Sequence, residues 1–262
     1  MRLPTGPLAD LRIWVTRPAG QAAALADLLQ QAGATPVVLP LLCIAPPADP
    51  EPLQMALARL DECDLAAFVS PSALDAVFDT LGRAWPQTLP AAVVGPGSTR
   101  RALALGIRDV IAPAERFDSE GLLAEPAMQA FAGKRIVLFR GENGRELLVD
   151  GLQKLAGSQG GSLTVVPAYR RLPPDLSDTQ IAAALDAGCD GIIVSSSEAA
   201  QHLFAAVGAT TRERLQSMHY FVPHPRIGTA LEQQGVHAAH LTEAGDAGIV
   251  ATLCRYFASQ LP

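Results

Sequence analysis

The stretch Cys63–Phe78 recurs without a gap at Cys189–Phe204. Both copies open on Cys-Asp, run through an apolar segment, reach a serine-rich turn and close on Phe. Arg135–Arg140 (Arg-Ile-Val-Leu-Phe-Arg) repeats Arg12–Arg17 (Arg-Ile-Trp-Val-Thr-Arg) in the same way. Tyr220–Gly235 mirrors Ala92–Gly106, and Val236–Leu253 mirrors Ile107–Ala124. The period is about 125 residues, far longer than that of solenoid arrays. The repeat therefore constrains the chain to a duplicated lobe rather than a stack of small units.

Within each copy, short Val- and Ile-rich runs alternate with segments of helical spacing. Strands are expected at Leu11–Arg17, Leu65–Val69, Ala91–Val94, Val110–Ala112, Arg135–Arg140 and Thr164–Tyr169. Helices are expected over Gln21–Gln31, Pro50–Leu60, Thr99–Leu105, Arg145–Leu155 and from Asp118 to about Ala130, with Gly33 and Gly106 as stops. Such alternation argues for an α/β fold of two similar domains, each a parallel sheet flanked by helices. Val37–Pro47 and Val165–Pro174 are both extended and proline-bounded. Proline confines a strand to an edge, a bulge or a connector, so these two are read as crossings between lobes.

Several function classes fall away. The formal charge of −6 over 262 residues, with no Lys/Arg run, suits neither nucleic acid nor an anionic membrane surface. No apolar run reaches the roughly 20 residues needed to span a bilayer. The four cysteines form no CxxC pair and read as free thiols, so the reducing cytoplasm is the expected setting. Gly95-Pro96-Gly97 does not complete a dinucleotide fingerprint, because Arg100 stands at its third glycine position. His237 and His240 fit no zinc spacing, and no nucleophile elbow occurs. No cofactor or metal is called for.

In parallel sheets ligands bind beyond the carboxyl ends of the strands, and polar residues collect there. Arg17, Ser70, Ser72, Gly95, Gly97, Ser98, Arg140, Gly141, Arg145, Ser196, Ser197, His224 and Arg226 all fall at such positions. Each turn opens a helix, so its backbone N–H groups lack intrahelical partners and favour anions. Arginine matches carboxylate geometry and binds it in bidentate fashion. Two lobes would set two such rims across a cleft suited to a ligand with several carboxylates.

The chain resembles the uroporphyrinogen-III synthase family over nearly its whole length. The resemblance lies in Val15–Gln21, Phe68–Ala73, Val94–Thr99, Phe117–Leu123, Leu138–Arg145, Pro167–Arg171 and Val222–Ile227, taken in order. It implies two α/β domains joined by a two-stranded β-ladder, Met1–Pro40 with Ala168–Pro262 in one and Leu41–Pro167 in the other. It implies cyclisation of hydroxymethylbilane, a linear tetrapyrrole with eight carboxylates, to uroporphyrinogen III, with loss of water and inversion of ring D. Tyr169 matches the family tyrosine proposed as proton donor to the departing hydroxyl, and Ser98 stands where the family often has threonine. The implied protein uses no cofactor, works as a monomer, and meets hydroxymethylbilane synthase at most transiently. Two readings from other classes stay open: a two-lobed small-anion binding protein, and a phosphosugar isomerase-like protein prompted by Ser195-Ser196-Ser197.

Overall fold

Strand β1 (Arg12–Val15) shows why this sequence builds a two-faced parallel sheet. Ile13 and Val15 enter one buried layer with Leu25 and Leu29, while Trp14 enters another with Ile192, Leu203 and Tyr220. A strand apolar on both faces needs helices on both sides. The computed structural model describes residues 6–143 and 146–260. The chain divides into two units, Met1–Cys43 with Leu172–Pro262, and Ile44–Arg171.

In the first unit β1 is followed by α1 (Ala19–Gln31) and β2 (Thr35–Val38). Gly33 ends α1 with φ +98, and a Cβ there would lie 3.2 Å from the Ala9 nitrogen. The chain re-enters this unit through α7 (Asp178–Asp186), β9 (Gly191–Ile193), α8 (Ser197–Ala205) and α9 (Ala209–Gln216). β10 (His219–Val222), α10 (Pro225–Glu232), β11 (Ala238–Leu241) and α11 (Gly245–Ala258) complete it. The sheet order is β11-β10-β9-β1-β2, with parallel pairings.

The second unit runs through β3 (Cys43–Ala45), α2 (Glu51–Ala58), β4 (Leu65–Phe68), α3 (Pro71–Leu81), β5 (Ala91–Val93) and α4 (Pro96–Ala104). It continues with β6 (Val110–Ile111), α5 (Ser119–Ala124), β7 (Arg135–Gly141), α6 (Leu147–Gly157) and β8 (Ser162–Leu172). The order is β3-β8-β7-β4-β5-β6. One face packs Phe68, Val93, Phe139 and Val166 against Leu74 and Val77 of α3, with Phe68 and Phe139 stacked at 5.2 Å. The other packs Leu65, Ala67 and Leu138 against Leu148 and Leu152 of α6.

Five strands of each sheet correspond, with β3 at the edge of the six-stranded sheet left over: β9, β10 and β11 stand to β1 and β2 as β4, β5 and β6 stand to β7 and β8. Each sheet thus combines the opening strands of one sequence copy with the later strands of the other.

Some expected elements differ. The stretch Val37–Pro47 is not one extended segment: β2 ends at Val38 and β3 begins at Cys43, with Pro40 between them. The helix expected from Asp118 to about Ala130 stops at Ala124, and Pro126–Phe131 forms a 3-10 turn. Pro126 forces the preceding Glu125 out of helical geometry, to ψ 127. The division between units falls at Cys43/Ile44 and Arg171/Leu172, slightly beyond the expected Pro40 and Pro167, because β8 stays registered on β7 as far as Tyr169.

Candidate active site

Tyr169 owes its direction to an irregularity. β7 and β8 pair in simple register from Arg135↔Ser162 to Arg140↔Pro167, then jump to Gly141↔Tyr169. Strict alternation would send Tyr169 to the face opposite Val166 and Ala168. The extra residue returns it to their face, and all three enter one cluster. Bulges of this kind re-aim side chains beside functional sites, and they tolerate a strand proline such as Pro167. Gly141 leaves room for the phenol: a Cβ there would lie 3.2 Å from the Tyr169 Cζ and 3.4 Å from its hydroxyl.

That hydroxyl lies 3.0 Å from Ser70 Oγ. Ser70 is extended at φ −166 and caps α3, its Oγ accepting the Ala73 N–H at 3.2 Å. The carboxyl ends of the adjacent strands β8, β7 and β4 therefore bring Tyr169, Gly141 and Ser70 together. Gly95 opens α4 on the next strand, β5. Ser72 and Ser98 are buried in the first turns of α3 and α4. Gly95 and Gly97 are not demanded by packing, since a Cβ would meet only ordinary contacts at 3.6 and 3.9 Å.

Arg140 lies on the other face of β7 from Gly141. Its guanidinium is held by Glu146 at 3.1 Å, beside a hollow of about 330 Å³ lined also by Asn143, Val165 and Pro167. The Glu146 side chain is 69% exposed and the Arg140 side chain only 9%, so a competing carboxylate could displace Glu146 from a fixed cation. Arg145 lies outside the described residues.

In the first unit Arg17 is engaged twice, by Asp246 Oδ1 at 2.6 Å and Ser195 Oγ at 3.1 Å. Ser196 caps α8 by accepting the Ala199 N–H at 3.0 Å, the counterpart of Ser70 on α3. Ser197 Oγ donates to the Arg226 carbonyl at 3.4 Å. His224 caps α10 through Nδ1, which accepts the Arg226 N–H at 3.2 Å, and both residues are exposed.

Nucleophilic sulfur finds little support. Burial pushes the Cys189 thiol up to about 12 and raises that of Cys63, so both favour the protonated form. Among the described residues no group of three or more His, Cys, Asp or Glu is placed to hold a metal ion, and no helix is long and apolar enough to cross a membrane.

The family model described as uroporphyrinogen-III synthase HemD matches residues 23–248. The chain belongs to the uroporphyrinogen-III synthase family. Uroporphyrinogen-III synthase of Synechococcus elongatus is 34% identical over 73% of this chain and 73% of its own. That of Escherichia coli is 28% identical over 78% of this chain and 82% of its own. Two solved structures share the fold at low identity. Uroporphyrinogen III synthase of Thermus thermophilus, in a mutant form, has a TM-score of 0.54 at 17% identity, covering 96% of this chain and 100% of that one. The uroporphyrinogen-III synthetase of Helicobacter pylori gives 0.57 at 13%, covering 94% and 98%. The family is one of lyases that cyclise hydroxymethylbilane in tetrapyrrole biosynthesis.

Against this family background, the sequence alone left three features unread. Asp246 and Ser195, which hold Arg17, come from distant parts of the chain. Glu146 carried no motif of its own. The bulge had one trace, a proline inside an otherwise regular strand. A fourth feature lies off the rim: His219, His240 and Tyr256 form a chain, with His240 Nε2 at 3.3 Å from His219 Nδ1 and the Tyr256 hydroxyl at 3.0 Å from the same atom.

Proposed function

We propose that this protein converts hydroxymethylbilane to uroporphyrinogen III with loss of water and inversion of ring D, and that Tyr169 supplies the proton taken by the departing hydroxyl. The observation that carries the proposal is the Tyr169 hydroxyl at 3.0 Å from Ser70 Oγ, at the mouth of the second unit's sheet. Hydroxide leaves poorly, so a positioned donor assists it. The phenol is fixed by the bulge on one strand and the open space at Gly141 on the next. Fixed geometry matters because holding a reacting group in place can supply several kcal/mol of barrier reduction, about 7–11 in favourable cases.

Carboxylates of the bilane are taken in each unit by groups at its strand ends: in the second unit by N–H groups at the start of α4, with Ser72 and Ser98 beside them, and in the first by N–H groups at the start of α8, with Ser197 and Arg226. Arg140 enters as an exchangeable cation, since its partner Glu146 is largely exposed, whereas Arg17 stays bound to the mostly buried Asp246. In this reading the protein works as a monomer in the cytoplasm and meets hydroxymethylbilane synthase transiently. No step of it draws on a cofactor.

Isomer analysis tests the proposal. The purified protein is incubated with hydroxymethylbilane, the products are oxidised, and the type I and type III isomers are separated. Predominant type III is expected. Type I alone, the product of spontaneous closure, would overturn the assignment.

A further inference from the structure

We infer that the proton reaches the departing hydroxyl through Ser70, with Tyr169 behind it as the source; this rests on the donor role proposed above for Tyr169. Only 4% of Tyr169 is exposed, and its phenol packs against the Gly141 backbone. Ser70 is only half-buried, and so is the more exposed partner of the pair. A hydroxyl oxygen has two lone pairs and one proton to place. One lone pair of Ser70 takes the Ala73 N–H at 3.2 Å. If the other takes the Tyr169 O–H at 3.0 Å, the serine proton is directed outward. If Ser70 instead donated to Tyr169, the pair would present no proton on its exposed side. The first arrangement satisfies every group and leaves one donor at the rim.

The duplication supplies a comparison within the molecule. Ser196 caps α8 as Ser70 caps α3, with the Ala199 N–H as its donor. The strand equivalent to β8 in that unit is β2, and Leu39, Pro40 and Leu41 follow it with no tyrosine. Capping alone therefore does not bring a phenol to the serine. The phenol at Ser70 depends on the bulge and on Gly141, features of the second unit.

The step balances as follows. The C–O bond of the hydroxymethyl group breaks with its electron pair on oxygen. That oxygen takes the Ser70 proton and leaves as water. Ser70 Oγ takes the Tyr169 proton in the same event, which leaves a phenolate facing the new carbocation. When ring closure releases a proton from the pyrrole carbon, it returns to Tyr169 through Ser70.

Single-turnover cyclisation in Ser70→Gly, Ser70→Thr, Tyr169→Phe and the Ser70→Gly/Tyr169→Phe double variant tests the relay, with a proton inventory in mixed H₂O and D₂O. Glycine is a tolerated helix N-cap, so Ser70→Gly removes the hydroxyl with little effect on α3; melting curves confirm that each variant is folded. Ser70→Gly and Tyr169→Phe are each expected to slow turnover by about 10²-fold, the low end for general acid catalysis. The double variant should be no slower than either single one. Ser70→Thr, which keeps a hydroxyl, should recover much of the rate lost in Ser70→Gly and keep a curved inventory, the mark of two protons moving together. Turnover lost in Tyr169→Phe but kept in Ser70→Gly would overturn the relay and leave Tyr169 as the direct donor. Losses that multiply in the double variant would also overturn it. If neither single variant is slowed, the donor role of Tyr169 falls as well.

Discussion

Gly141 has no side chain where one would collide with the phenol proposed as proton donor. A Cβ there would stand 3.2 to 3.4 Å from three atoms of the Tyr169 ring and hydroxyl, so alanine must push the phenol by a few tenths of an ångström. Gly141→Ala is expected to destabilise the protein by only about 1 kcal/mol, the mild end of overpacking. It should slow turnover by about 10-fold, because small misplacements of a reacting group are costly. In a Tyr169→Phe background the same substitution should add little to the loss of rate. A parent-like rate for Gly141→Ala would place the phenol outside the chemistry. At this scale the sequence was informative in part. Tyr169 and Ser70 were both singled out, one by resemblance and one as a helix opener. Their contact spans 99 positions, and no local pattern reports a pairing at that distance. Arg17 and Arg140 were found as cations, while their carboxylate partners went unread because any exposed acid could have served.

The elements that periodicity defines best are those buried on both faces, such as β1, β4 and β7, whose apolar runs have no other use. Those it misjudged each turn on a proline: Pro126 breaks the helix expected beyond Ala124, and the extended segment read from Val37 divides around Pro40 into β2 and β3. The packing of α11 over β10 and β11 shows a different kind of information, one that only folding creates. The Tyr256 ring of α11 lies against His240 of β11, tilted by 44° with centroids 4.4 Å apart, and its hydroxyl reaches His219 of β10. Burial first, and then the charge of His219, hold His240 below the ordinary imidazole value near 6.5. A histidine with its proton affinity lowered by folding binds fewer protons folded than unfolded. Its stabilising contribution is therefore present above the unfolded value and is lost as pH falls through the depressed folded one. The groups that face it are His219 and Tyr256. Melting temperature should fall on acidification from about pH 7 to about pH 5, and more steeply in the parent than in His240→Gln. Parallel slopes would show that this cluster does not set the acid limit.

At the scale of the whole chain the repeat was legible, and so was its puzzle. Two sequence copies suggest two contiguous halves, yet each sheet draws β1–β2 or β7–β8 from one copy and the remaining equivalent strands from the other. Spacing alone does not report such an exchange, because both arrangements bury the same apolar faces; the proline-bounded strands at the crossings were its only local mark. The same scale governs how a polyanion meets this protein. With 26 acidic against 20 basic side chains and a net charge of −6, the distant field repels a substrate of many carboxylates. In the proposed binding mode, attraction is left to short contacts at the strand ends. Salt acts on the two differently: at about 0.1 M the screening length is near 10 Å, so the distant repulsion is already damped, and further salt weakens mainly the exposed close contacts. KM should therefore rise several-fold between about 0.1 and 0.5 M salt. The maximal rate should hold within about two-fold, because Tyr169 is buried and salt acts least on buried groups. Steady-state kinetics over a salt series checks both, with sodium chloride as the only variable. A flat KM would show that the carboxylates are held by backbone N–H groups and serines without the arginines, and a falling maximal rate would place a mobile charge at the proton donor.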